Sequence, residues 1–120
     1  MKLTNNQIYT YASNLAAFNI DVKLPVRINF YLQKNIQLIQ TLAQEIDAAR
    51  INIGKEFGEL NSEGTAYNVP PEKMAAAQSE LNDLLSLTQD INIYMLSLDD
   101  FDGIELTMQQ LDAIMFMIEE

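Results

Sequence analysis

The stretch LPVRINFYLQKNIQLIQTLAQEIDAARINIGKEF, Leu24–Phe57, is the longest uninterrupted periodic segment of the chain. Leu24, Ile28, Leu32, Ile39, Leu42, Ile46 and Ile53 recur at helical spacing, as one apolar face of a helix requires. Pro25 falls in the first turn, where its missing N–H would be unpaired anyway. At about 1.5 Å per residue such a helix is a rod of about 50 Å. A compact domain of this length has a radius of gyration near roughly 14 Å and is about 35 Å across. The rod is therefore expected to protrude, bend, or be covered by another subunit.

The remaining composition narrows the chemistry. With 120 residues, 48% of them hydrophobic, the chain is read as a single domain, 1–120, with a modest core. Cysteine and histidine are both absent. This excludes disulfides, thiolate chemistry, the usual general base and the commonest transition-metal ligand. No apolar run approaches the roughly 18 residues of a membrane span, and MKLTNNQ is not followed by the apolar core of a signal peptide. The expectation is a soluble intracellular protein with neither a membrane nor a cofactor. Seventeen acidic against seven basic residues give a net charge of −10, which repels nucleic acid phosphates and anionic lipids. Such acidity is more often a solubility surface than a mimic of nucleic acid. Of the cations, Lys23, Arg27, Lys34, Arg50 and Lys55 lie on or beside the long segment.

Around this rod the pattern predicts an α-dominant α+β fold, with about four helices and one or two short strands. Thr4-Asn5-Asn6-Gln7 reads as a capping box opening a helix over 5–18, with Ile8, Tyr11, Ala12, Leu15 and Phe18 inward. Gly58 marks the stop of the long helix, and Gly54 weakens its last turn. Residues 59–71 read as a loop with a short strand over 66–69. Pro71 opens a helix to about 87, with Met74, Ala77, Leu81, Leu84 and Leu85 on its buried side. Alternation over 90–97 reads as a strand whose partner is 66–69 or another subunit. Thr107-Met108-Gln109-Gln110 is a second capping box, followed by Leu111, Ile114, Met115 and Ile118 on a final helix.

No enzyme signature is present, and no residue is assigned as catalytic or as a metal ligand. The turn DDFDG, Asp99–Gly103, lacks the ligand spacing of a calcium loop and reads as a structural turn with solvated carboxylates. The informative feature is a second row on the long helix, Arg27, Tyr31, Lys34 and Leu38, with Phe30 at its outer edge and Lys23 one turn earlier. Cations beside aromatic rings suit an anion that carries a flat ring. The commoner fate of such a row is to cover a neighbouring helix while pairing with surplus carboxylates. Asn35 falls on the apolar side, where its amide must bond backbone, fix an interface register, or face a ligand. Arg50 also points toward the buried side, in an internal ion pair.

LPVRINFYLQKN, the KEFGEL end of the long helix, and the closing ELTMQQLDAIMFMIEE carry a resemblance that spans nearly the whole chain. In these parts it resembles a family of small proteins from bacteriophages and prophages of Gram-positive hosts, whose function is unassigned. The resemblance implies a virus-encoded accessory protein in the cytoplasm of an infected bacterium, and transfers no catalytic residue. In that setting the basic and aromatic row favours an oligomer that sequesters a nucleotide-derived immune signal without cleaving it. The candidate ligand-binding residues are Arg27, Tyr31, Lys34, Lys23, Phe30 and Asn35. A chaperone or connector of virion (tail or head) assembly, bound to a phage virion protein, is the alternative. An acidic inhibitor of a host defence protein is the third.

Overall fold

The computed structural model describes residues 1–16 and 24–119. Its fold is α-dominant α+β. The chain runs through β1 (Lys2–Thr4), α1 (Asn5–Ala16), α2 (Val26–Phe57), β2 (Glu59–Leu60), β3 (Tyr67–Asn68) and α3 (Pro71–Ser86). It continues through β4 (Thr88–Asp90), β5 (Leu96–Ser97), a 3-10 turn (Leu98–Phe101), α4 (Met108–Ile114), a second 3-10 turn (Met115–Met117) and β6 (Ile118–Glu119). Pro25 sits one residue outside α2, in extended conformation. Phe18 lies outside the described residues.

The molecule is elongated, with extents of 56 × 30 × 21 Å and a radius of gyration of 17.9 Å. The compact expectation is roughly 14 Å, and the excess follows from α2, which protrudes as its length requires. Its first two thirds carry the core. Ile28, Leu32, Ile39 and Ile46 pack with Ile8 and Leu15 of α1 and with Ile91, Leu96, Phe101, Ile114 and Met117 from the second half of the chain. Beyond Ile46 no residue of α2 is buried, and Ala77 is the one buried residue of α3. Met74, expected inside, is 55% exposed. The distal third of α2, α3 and the β2–β3 hairpin thus form an arm with little core of its own.

Close backbone approaches close that arm. A Cβ at Gly58 would sit 2.8 Å from the Gly54 carbonyl and 3.0 Å from the Asn68 carbonyl, so no other residue fits there without a shift. Gly54 stays helical, with the Tyr67 side chain against it.

The short strands tie the two ends of the chain to one segment. β1 pairs antiparallel with β4, placing Leu3 opposite Gln89, and β5 pairs in parallel with β6, placing Leu96 opposite Ile118. The continuous strand expected over 90–97 is therefore split, with Ile91–Met95 irregular between its two ends. Its partners are the terminal strands, whereas the 66–69 strand pairs with β2. Both capping boxes form: Thr4 and Gln7 exchange N–H···O bonds of 2.9 and 3.1 Å, and Thr107 and Gln110 do the same at 2.9 and 3.1 Å. The final helix is shorter than expected. Its change to a 3-10 turn at Met115 shifts the inward phase, so Met117 is fully buried while Met115 is 44% exposed.

Candidate functional site: an aromatic and cationic face on α2

The first three turns of α2 place the row as helical spacing requires. Arg27 and Tyr31 are one turn apart, as are Phe30 and Lys34. The Arg27 guanidinium lies 5.4 Å from the centre of the Tyr31 ring, and the Lys34 ammonium 5.6 Å from that of Phe30. Phe30 meets Tyr31 edge-on at 5.8 Å. Tyr94, from the irregular segment, stacks on Tyr31 with centroids 5.1 Å apart and planes inclined by 28°. Of the residues predicted for the site, Arg27, Phe30, Tyr31 and Lys34 are thus brought together. Lys23 lies outside the described residues.

Asn35 requires a correction. Fully buried, it does not face a ligand, because its amide is committed to the backbone of Tyr94. Its Nδ2 donates to the Tyr94 carbonyl at 2.8 Å and its Oδ1 accepts the Tyr94 N–H at 2.9 Å. The Met117 sulfur lies 3.4 Å from the same Nδ2. Asn35 therefore replaces a strand neighbour for one residue, satisfying both backbone groups of Tyr94 without ladder pairing. It holds Tyr94 where the ring can cover Tyr31.

Arg27 is held on its other side by Asp100, whose Oδ1 is 3.3 Å from Nη1. Asp100 is also the third residue of a capping box, its Oδ2 accepting the Ser97 N–H at 2.9 Å. The turn DDFDG is thus structural, with Asp99 and Asp102 exposed. Its middle carboxylate is an exception to the expectation of purely solvated acids. Among the described residues no group of three or more potential metal ligands is gathered.

The face is open: Arg27 is 64% exposed at its side chain, Phe30 55% and Tyr94 50%. Val26, next to Arg27 in sequence, and Leu98, in the turn that carries Asp100, are 85% and 56% exposed. Sequence reasoning missed Tyr94 and Asp100. Tyr94 carried a weak signal, as a polar-tipped ring alternating with Ile91, Ile93 and Met95. The pairing of Asp100 with Arg27, 73 positions apart, carried none.

Arg50 also departs from expectation. It is half-exposed and pairs with Asp47 at 3.0 Å, over the ring of Tyr9 at 5.4 Å. The Tyr9 hydroxyl donates to the same Asp47 oxygen at 3.0 Å. That hydrogen bond, together with burial, raises the Tyr9 pKa, and the Arg50 charge opposes the rise. This cluster ties α1 to α2.

Clefts elsewhere among the described residues include two. One of about 600 Å³ is lined by Ser13, Asn14, Gln109, Asp112 and Ala113. The other, of about 200 Å³ between α2 and α3, is mainly apolar, with Ile53, Val69, Met74, Ala77 and Leu81 in its walls. No helix among the described residues is long and apolar enough to cross a membrane. Comparison with protein-family models, curated protein sequences and solved structures gives no match for this chain.

Proposed function

We propose that this chain is a non-catalytic binding protein and that the α2 face is its working surface. Its ligand is an anion carrying a flat ring, such as a nucleotide-derived signal of bacterial immunity, held without cleavage in the cytoplasm of a phage-infected host. One observation supports this most strongly. Tyr31 lies against a guanidinium and a second tyrosine ring, on an exposed face of a chain whose net charge is −10. Stacking surfaces and phosphate-binding donors are both present there. The face is open rather than enclosed, so the reading requires a homo-oligomer in which a second copy completes the pocket.

Calorimetry with cyclic and ADP-ribose-type nucleotides tests the reading, repeated on Arg27→Glu and Lys34→Glu. It requires tight binding, recovery of the ligand intact, loss of binding in the folded variants, and a multiple of 13.6 kDa by light scattering. A clean monomer or a cleaved nucleotide contradicts it.

The virion-assembly reading is favoured by a different observation, the exposed aliphatic side chains of Val26, beside Arg27 in sequence, and Leu98, in the turn that carries Asp100. Aromatic and aliphatic residues around an arginine also suit a protein partner. It predicts co-purification with a virion protein and no binding across the nucleotide panel.

A further inference from the structure

The carboxylate that meets Arg27 is held from behind. Asp100 Oδ2 accepts the Ser97 N–H at 2.9 Å, within a reciprocal capping box that fixes the 3-10 turn. The guanidinium meets Oδ1 alone, in a single contact of 3.3 Å. Arginine has five N–H donors in a planar fork and binds a phosphate best through two parallel bonds. The capped Asp100 makes one long bond to a side chain that is 64% exposed. Arg27 is therefore oriented over Tyr31 by an internal anion that leaves most of its donors open.

We propose that Asp100 is a built-in competitor for Arg27, holding the guanidinium in place when the face is empty and yielding it to a ligand phosphate. The inference rests on the small-molecule reading above and sets that site's threshold for anions. A ligand must offer more than the single contact it displaces, which a diphosphate can do through paired oxygens and greater charge. It must also tolerate the Asp100 carboxylate remaining nearby, because the bond from Ser97 does not depend on Arg27. Uncharged ring compounds would gain nothing from displacing Asp100. The competitor thus weakens every anion that must displace it by a constant factor, leaves bare nucleosides unaffected, and excludes anions too weak to outbid its single contact.

The test is Asp100→Asn, which removes the charge and keeps a side-chain oxygen able to accept the Ser97 N–H. With ADP-ribose as the probe, the variant should bind about two- to fivefold tighter than the parent, the range expected for an exposed ion pair. Adenosine binding should not change, and Arg27→Gln/Asp100→Asn should bind ADP-ribose no tighter than Arg27→Gln alone. Side-chain NMR of the unmodified protein supplies a second reading that does not depend on a variant folding. Saturating ADP-ribose should move the Arg27 Nε–H signal and leave the Ser97 amide in place. Binding by the parent without a gain in Asp100→Asn, or a still Arg27 signal, overturns the competitor alone. No ADP-ribose binding by either protein overturns it together with the reading on which it rests.

Discussion

The side chain of Asn35 pairs with both backbone groups of Tyr94, at 2.8 and 2.9 Å, from a position on α2 that is wholly buried. One amide thereby fixes the split between β4 and β5 and delivers the Tyr94 ring to Tyr31. Asn35→Leu removes both bonds and leaves the Tyr94 groups without their partner. The expected loss is about 1–3 kcal/mol, measured by urea denaturation. The Tyr31–Tyr94 stack should loosen as well, seen as a changed near-ultraviolet circular dichroism spectrum. Unchanged stability would remove Asn35 from the account of both fold and site.

How far the fold was legible in the sequence follows from the range of the interactions. Helix starts are decided within four residues, so Thr4–Gln7 and Thr107–Gln110 could be read directly, and both boxes form. The long helix was legible because its apolar period persists over many turns. The strands were legible only in part: β3 falls within the expected 66–69 segment, whereas β1 and β6 are short segments ordered only by pairing with β4 and β5. Asn5 shows the same limit. It is buried at the start of α1, donates to the Leu84 carbonyl at 2.8 Å and accepts from Gln89 at 2.7 Å. Nothing local marks it apart from Asn6. In the candidate site, helical spacing joined Arg27, Phe30, Tyr31 and Lys34, whereas Tyr94 and Asp100 arrive through tertiary contacts.

The two capping boxes give matched tests at opposite ends of the chain. Thr107→Ala and Thr4→Ala each remove a side-chain acceptor for a helix N–H, at a cost of about 1 kcal/mol. Because the sites are far apart in sequence and share no bond, the double variant should lose close to the sum in denaturant titrations.

The Tyr9–Asp47 hydrogen bond makes a statement about alkaline pH. Asp47 and burial raise the Tyr9 pKa above its ordinary 10.0, against the opposing charge of Arg50. Protonated Tyr9 is therefore favoured by folding. Its contribution to stability is complete below pH 10 and is lost as pH rises through the higher folded value. Asp47→Asn should bring the Tyr9 pKa down toward its ordinary value, read from the Cζ chemical shift in an NMR titration. A Tyr9 that titrates identically in both proteins would refute the assignment.

Burial along α2 is uneven, and stability should follow it. Ile28, Leu32, Ile39 and Ile46 are each no more than 4% exposed, whereas Ile51 on the same helix is 47% exposed. Helices are held in proteins mainly by tertiary packing of their apolar face rather than by propensity. Amides whose opening uncovers little apolar surface exchange by local fluctuations, and those over the core exchange only on larger openings. Hydrogen exchange should therefore be slowest around Ile39–Ile46 and quicken by orders of magnitude through Ile51–Phe57, although both lie in one continuous helix. Ile39→Ala, which empties a fully buried position, should cost about 2–5 kcal/mol and accelerate exchange in the protected part. Ile51→Ala should leave the core amides nearly unchanged, since the side chain it shortens is half in water. Equal protection along all of α2 would contradict this division, and would mean that the arm is covered by something outside the chain.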